Sequence, residues 1–223
     1  MKLHAGLHEL YSSNWNDFKA AIDHTKHEKP LNGPYLCSPS DDYWESAVKL
    51  VFVGQETNGW NSQPDVEKQM EIYSKFGVAK NYKKGAFWQV IRKIEKNING
   101  KEYGCASLNL NKFDVNRKGP GKSYSALMEK FDHILLAEIQ LLKPDAVIFF
   151  TGPSYDRRLI NLFNAEFIKL EDFEIRQLAE IKSPNIPYIA IRTIHPQSMR
   201  RLGREKDFLT QMTKILNRDQ ILV

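Results

Sequence analysis

Four short runs of apolar residues recur along the chain, separated by longer stretches in which apolar and polar residues mix. The runs cover residues 50–53, 105–110, 146–150 and 188–191. The runs are largely continuous rather than alternating, which is typical of strands that are covered on both faces. The pattern therefore predicts four buried strands.

Between the runs, apolar residues recur three and four positions apart, which is the spacing of amphipathic helices. Such faces are formed by Phe87, Val90, Ile91, Ile94 and Ile98; by Leu127, Met128, Phe131, Ile134, Leu135 and Leu142; by Leu159, Ile160 and Phe163 after a start at Ser154; and by Phe208, Leu209, Met212, Ile215 and Leu216. A further helix is predicted over 14–27. Strands alternating with helices predict an α/β fold, a three-layer α/β/α sandwich around a mostly parallel, four-stranded central sheet.

The chain shows no internal repeat, low-complexity tract or Pro/Ser-rich linker that would divide it. Its 223 residues, of which 42% are hydrophobic, are sufficient to bury a core. We therefore expect one domain over 1–223, with residues 1–48 as an N-terminal helical extension.

Cysteine content and hydropathy exclude several classes of protein. Cys37 and Cys105 are the only cysteines, so a disulfide-stapled secreted scaffold, a zinc ribbon and an all-cysteine iron–sulfur cluster are ruled out. No apolar stretch approaches the roughly 20 residues of a membrane-spanning helix, and the first residues lack the apolar region of a signal peptide. These features predict a soluble, cytoplasmic protein.

Positive charge is concentrated in two parts of the chain, although the formal net charge is only +5. Residues 75–122 carry twelve basic and three acidic side chains, and a second basic run covers 200–206. Such clustering is the footprint of a protein that binds a polyanion such as nucleic acid. It is also the composition of a solvated lysine-rich face, which is the interpretation that charge alone favours.

Polar side chains lie at or just beyond the carboxyl ends of three of the predicted strands, where open parallel sheets bind ligands. Glu56 follows the first run, Asn109 lies in the second, and His195 follows the last. A carboxylate, an amide and an imidazole suit a site that binds a polar heterocycle and performs general acid–base chemistry. Singly, Glu56 also fits a helix cap or a lysine partner, Asn109 a strand-end hydrogen bond, and His195 an ordinary loop histidine.

The sequence signatures of two common classes of α/β protein are absent from this chain. The chain contains no G-x-S-x-G elbow, no Walker A loop and no G-x-G-x-x-G fingerprint. This argues against an α/β-hydrolase or a nucleotide-binding protein.

Two short motifs resemble those of the uracil-DNA glycosylase superfamily. GQET at 54–57 is similar to the first motif of that family, and HPQSMR at 195–200 is similar to the second. LNLNK at 108–112 resembles the intervening strand with its base-reading asparagine, and LKPDAVIFFTG at 142–152 resembles the strand that leads to a glycine. The resemblance extends from about Leu50 to the C-terminus and implies the fold of that family.

The resemblance implies a monofunctional glycosylase that hydrolyses the N-glycosidic bond of uracil, or of a related deaminated base, in DNA. Glu56 would orient and polarise the attacking water, and His195 would donate a hydrogen bond to uracil O2. Asn109 would read the uracil edge, and a backbone amide near Gln55 would add a donor. No metal or cofactor is implied, and the expected partner is DNA bound by a monomer, with no membrane.

The resemblance also assigns residues to base stacking and DNA contact. Phe87 is similar to the family's stacking phenylalanine, with Trp88 as the next choice, although Phe87 equally fits the apolar stripe of its helix. The loop residues assigned to DNA are Pro196, Ser198, Met199 and Arg200. Met199 would enter the duplex as an apolar wedge, and Arg200 would contact phosphate.

The chain departs from the family at two positions. Glu56-Thr57 stands where the family has Asp-Pro-Tyr, so the tyrosine that rejects the thymine methyl in some members is missing. Gln197 replaces the serine that usually follows His-Pro. A catalytically inactive nucleic-acid-binding module of the same fold is the alternative interpretation.

Overall fold

Helices lie between the strands that the apolar pattern predicts. The computed structural model describes residues 2–25, 27, 29–82, 85–186 and 189–218. Over these residues the helices are α1 (Lys2–Ser13), α2 (Trp15–Thr25), α3 (Asp41–Trp44), α4 (Val66–Phe76), α5 (Ala86–Asn99), α6 (Gly121–Glu129), α7 (Asp132–Leu142), α8 (Asp156–Phe163), α9 (Pro196–Arg201) and α10 (Glu205–Arg218). The strands are β1 (Leu31–Asn32), β2 (Leu50–Gly54), β3 (Ala106–Asn109), β4 (Asp114–Val115), β5 (Ala146–Phe149), β6 (Glu166–Lys169), β7 (Leu178–Lys182) and β8 (Ile189–Thr193). None of these helices is both long and apolar enough to cross a membrane.

The main sheet has six strands in the order β3-β2-β5-β8-β7-β6. β2 pairs in parallel with β5, and β5 with β8, whereas β7 and β6 are antiparallel additions beyond β8. The α/β class is therefore confirmed, but the prediction of four strands was too low. β6 and β7 were missed because the sequences EFIK and LAEIK contain charged residues and form no continuous apolar run. β1 and β4 form a separate two-stranded antiparallel sheet.

The chain clusters into two compact units. Unit one comprises Met1–Ser38, Gly54–Lys75 and Leu108–Lys143, and unit two comprises Pro39–Val53, Phe76–Ser107 and Pro144–Val223. Strands β2 and β3 end in residues of unit one. The single domain over 1–223 stays a prediction.

The core of unit two is built on the buried central strands. Every residue of β2 and β5 is buried, as expected for strands covered on both faces. The rings of Phe52 and Phe150 stack with their centroids 5.9 Å apart. Helices α5 and α10 contact each other, and the predicted apolar face of α5 is confirmed, since Val90, Ile91 and Ile94 are buried. Each such side chain contributes about 1.5–3 kcal/mol by leaving water.

The core of unit one is aromatic. Phe18 of α2 stacks on Phe131 at 5.1 Å and meets Phe113 edge-on at 5.8 Å. The helix predicted over 14–27 is observed as α2, whereas α1 lies in a segment whose pattern predicted no helix boundaries. The apolar face predicted over 127–142 is divided between α6 and α7, because the chain leaves helical geometry at Phe131.

Unit one also contains a buried set of polar side chains. Lys112 and Glu138 form an ion pair, and both side chains are fully buried. The Tyr11 hydroxyl donates to Glu138 Oε1 at 2.7 Å and accepts from the Cys37 amide at 2.9 Å. Burial raises the pKa of Glu138, while the neighbouring Lys112 ammonium opposes that rise. The ion pair fixes the chain immediately after β3.

Both cysteines are buried free thiols, Cys37 in unit one and Cys105 in unit two. Burial raises the pKa of the Cys37 thiol, which suppresses the reactive thiolate. The Cys37 thiol is therefore a packing group rather than a nucleophile.

Candidate active site

The residues predicted from sequence fall in both units. Gln55, Glu56 and Asn109 belong to unit one, and Phe87 and His195 belong to unit two.

The loop after β2 runs alongside the chain that leaves β3. The Gly54 carbonyl accepts from the Leu110 amide at 3.0 Å, and the Gln55 carbonyl accepts from the Asn111 amide at 2.8 Å. Backbone pairing therefore continues one step beyond the strand ends. It places Glu56 beside Asn111.

Each oxygen of the Glu56 carboxylate has a close neighbour. Asn111 Nδ2 donates to Glu56 Oε2 at 3.2 Å, and Asn111 is fully buried. Gly119 lies beside the other oxygen, since a Cβ atom at Gly119 would lie 3.3 Å from Glu56 Oε1. The asparagine that donates to Glu56 is thus Asn111, which sequence reasoning missed and which lies two residues beyond the predicted Asn109. Asn109 itself is buried at the last position of β3.

A single buried carboxylate fixes the rest of this loop. Asp114 of β4 is fully buried. It accepts hydrogen bonds from Thr57 Oγ1 (2.6 Å), Gly59 N (2.8 Å), Trp60 N (3.3 Å), Asn32 Nδ2 (2.8 Å) and Arg117 N (2.8 Å). Charge-assisted hydrogen bonds of this kind are the strong ones, so the loop that bears Glu56 is rigidly anchored.

In unit two, His195 caps the N-terminus of α9. Its Nδ1 accepts a hydrogen bond from the Gln197 amide at 3.1 Å. An imidazole nitrogen that accepts in this way carries no hydrogen, so in the neutral ring the hydrogen lies on Nε2. The cap therefore selects the tautomer whose Nε2–H is a donor.

The surroundings of His195 favour the neutral imidazole. Burial lowers its pKa, and the positive charge of Arg201 lowers it further. His195 is consequently uncharged at neutral pH. Arg201 is exposed, and sequence reasoning noted it only as a member of the basic run.

Phe87 packs directly on His195. The two ring centroids lie 5.7 Å apart, and the ring planes differ by 17°. Phe87 also meets Phe150 edge-on at 5.5 Å and is partly buried against the core. Both interpretations of Phe87 therefore describe part of its environment, since it belongs to the apolar stripe of α5 and also covers one face of the imidazole.

Of the four residues assigned to DNA on α9, Pro196 and Met199 are buried, whereas Ser198 and Arg200 are half-buried. Met199 is fully buried in the hydrophobic core, so its side chain has no surface with which to enter a duplex. Pro196 is also buried, and Ser198 donates its amide to the His195 carbonyl at 2.7 Å. The apolar side chain that this end of α9 exposes is Leu202, at 50% of its surface.

Arg200 is engaged within the protein. Its guanidinium forms an ion pair with Glu205 and donates to Gln89 Oε1 at 2.7 Å. Glu205 is in turn paired with Lys93. Arg200 therefore links α9 to α5 and α10, and the exposed cation next to it is Arg201.

The basic run at 75–122 does not form one uniform surface. Lys112 is buried in its ion pair, Lys93 is paired with Glu205, and Arg92 donates to the carbonyls of Ala79 and Tyr82. Lys83 and Lys84 lie outside the described residues. Part of the positive charge counted from sequence is thus internal to the fold.

No protein-family model and no curated protein matches this chain. Among the residues that the structure describes, no group of three or more His, Cys, Asp or Glu side chains is placed to hold a metal ion. Functional assignment therefore depends on the chemistry of the residues themselves.

Proposed function

We propose that this protein is a DNA glycosylase that hydrolyses the N-glycosidic bond of uracil, or of a related deaminated base, within a uracil-DNA glycosylase-like fold. The observation that carries the proposal is His195, an imidazole kept neutral by burial with its hydrogen on Nε2. A neutral donor of this kind is what a departing pyrimidine anion requires.

The leaving base determines what His195 must do. When the bond between C1′ and N1 breaks, both electrons stay with the base, and negative charge develops on the uracil O2. A fixed Nε2–H donor stabilises that oxygen as the charge grows, which is electrostatic stabilisation of the transition state. A neutral imidazole supplies this hydrogen bond without having to take up a proton first.

Glu56 supplies the other half of the chemistry. A water oxygen forms the new bond to C1′, its proton passes to the Glu56 carboxylate, and the negative carboxylate offsets the cationic character of the sugar. Asn111 holds Oε2 of that carboxylate. The loop that positions it is anchored at Asp114.

Asn109 is the proposed reader of the base. An amide offers one donor group and one acceptor, which match O4 and N3–H of uracil. Thr57 follows Glu56 at the place of the family's motif proline, and its hydroxyl is bonded to Asp114. The absence of a tyrosine after the motif extends the proposed substrates beyond uracil to other deaminated bases.

Contacts with DNA are proposed for the exposed end of α9. Leu202 takes the position of an apolar wedge in place of Met199, because Leu202 is the side chain with free surface. Arg201 takes the phosphate contact in place of Arg200, which is occupied by Glu205.

The test is single-turnover base release from a uracil-containing oligonucleotide in the presence of EDTA. His195→Ala is expected to slow release by about 100- to 1000-fold, as the loss of one oxyanion donor does. Glu56→Gln is expected to slow it by about 100- to 10,000-fold. His24→Ala, which alters an exposed histidine of α2, is the matched control and should match the wild type.

Release should be measured on uracil, hypoxanthine and xanthine substrates. If no substrate yields an abasic product, the enzymatic proposal fails. DNA affinity that is sensitive to salt and unchanged in Glu56→Gln would then identify the inactive nucleic-acid-binding module instead.

A further inference from the structure

A tight turn follows β4 in unit one. Val115 and Lys118 exchange two backbone hydrogen bonds, of 3.0 and 3.1 Å. The two residues between them, Asn116 and Arg117, have φ values of 52° and 63°. Positive φ at both central positions is the arrangement of a type I′ turn.

The second central position of such a turn favours glycine, because a side chain there crowds the backbone. Asparagine tolerates the left-handed conformation at the first position, but arginine has no local hydrogen bond that compensates for it. Glycine would therefore suit the backbone better than Arg117 does. Residues held in this region cluster at binding and catalytic sites, which points to a use for the Arg117 side chain.

This turn is fixed against the loop that carries Glu56. Asp114 accepts from the Arg117 amide and from Gly59 in the loop. The Arg117 side chain lies across Gly59, where a Cβ atom would come within 2.9 Å of Nε. Gly119, one residue after the turn, lies against the Glu56 carboxylate. Lys118 and Arg117 precede Gly119 by one and two residues, so their Cα atoms lie within about 8 Å of the Gly119 Cα atom.

The charges around Glu56 explain what this arrangement can do. Glu56 would repel the phosphates that flank any nucleotide brought to it. Arg117 and Lys118 are exposed and positively charged. Their positive charges, close to Glu56 along the chain, would offset the repulsion between Glu56 and these phosphates.

We propose that the turn Asn116–Lys118 binds the DNA phosphate next to the nucleotide on which Glu56 acts. The planar guanidinium of Arg117 donates hydrogen bonds to the phosphate, and the ammonium of Lys118 adds a second positive charge. This inference rests on the proposed glycosylase function, of which it names the substrate-binding element.

The experiment measures affinity for a uracil-containing duplex by fluorescence anisotropy at several salt concentrations. Arg117→Gln keeps the aliphatic contact with Gly59 but removes the charge. We expect the magnitude of the slope of log Kd against log salt to fall by about 0.9, and affinity at 0.1 M salt to fall about eightfold. Lys118→Gln should act in the same direction. Lys19→Gln, which removes one exposed charge from α2 of the same unit, should leave both quantities unchanged.

Base release at saturating protein separates this inference from the proposed function. If the wild type releases base and Arg117→Gln binds like Lys19→Gln, the turn is not a phosphate site, although the glycosylase proposal stands. If no substrate is cleaved but the slope still falls in Arg117→Gln, the turn binds phosphate and only the glycosylase proposal fails. Melting temperatures confirm that each variant is folded. Arg117→Gly is a second variant that removes the charge, and glycine suits the left-handed backbone conformation at this position.

Discussion

The ring of Phe87 lies nearly parallel to the imidazole of His195, with the two centroids 5.7 Å apart. The contact joins the first turn of α5 to the loop that follows β8. It excludes water from one face of the imidazole, and burial is the main cause of the lowered pKa of His195. A residue that resembles a base-stacking phenylalanine thus acts on the chemistry of a neighbouring side chain.

Removing the Phe87 ring should raise the pKa of His195. In Phe87→Leu, water reaches the imidazole and the pKa moves up toward its ordinary value of about 6.5. A histidine whose folded-state pKa is lowered binds fewer protons in the folded protein, so stability is lost as pH falls below 6.5. That loss should be smaller in Phe87→Leu. An NMR titration of the histidine ring protons, assigned with His195→Gln, measures the shift, and an unchanged pKa would show that Phe87 does not shield the ring.

Glu95 should make the protein less stable as pH rises. It is 2% exposed, and burial raises its pKa to about 6. The folded protein therefore binds more protons at Glu95 than the unfolded chain does between pH 4.5 and 6, and stability falls across that range. The stability of the wild type relative to Glu95→Gln should fall by about 2 kcal/mol between pH 4.5 and pH 7.5. Urea unfolding at both pH values checks this, and a constant difference would contradict it.

Replacing Asp114 should loosen the loop that carries Glu56. In Asp114→Asn an amide nitrogen, which cannot accept hydrogen bonds, replaces one carboxylate oxygen. Either the donors to Oδ2 (Thr57, Gly59 and Trp60) or the donors to Oδ1 (Asn32 and Arg117) therefore lose their partner. We expect a loss of about 3 kcal/mol in the free energy of unfolding. Asp17→Asn, at an exposed position of α2, is the control and should change stability by less than about 0.5 kcal/mol. Equal effects of the two substitutions would rule out the anchoring role.

The buried ion pair should be more costly to break than to remove. Lys112→Met leaves an uncompensated carboxyl group in the interior and should destabilise the protein by about 3–5 kcal/mol. Adding Glu138→Gln removes the second charge while keeping an acceptor for the Tyr11 hydroxyl. The double variant should recover at least half of the lost stability, as measured by chemical unfolding. If the two effects simply add, Lys112 and Glu138 are not coupled.

The predictable part of the fold is the part with continuous apolar runs. β2 and β5 are buried on both faces, so their side chains leave an unmistakable pattern in the sequence. β6 lies at the edge of the sheet with its first and last residues exposed, and its charged residues conceal it.

In the candidate site, too, the residues with a local sequence signal were predicted and those without one were missed. Glu56 and His195 were predicted because they follow strands directly. Asn111 and Asp114 were missed because their partners are distant in sequence, at Asn32 and in the 56–60 loop. No local pattern marks a hydrogen bond across 54 to 82 residues. Met199 was placed on the surface from its position in a motif, whereas the turn of α9 directs it into the core.

The two buried thiols make the protein convenient to label. Cys37 and Cys105 are the only cysteines in the sequence, and both are enclosed. A maleimide dye or spin label added to the folded protein would therefore react at one introduced surface cysteine, with no need to mutate the native pair. A cysteine at exposed Lys118 or Leu202 would then report, in real time, the arrival of an oligonucleotide.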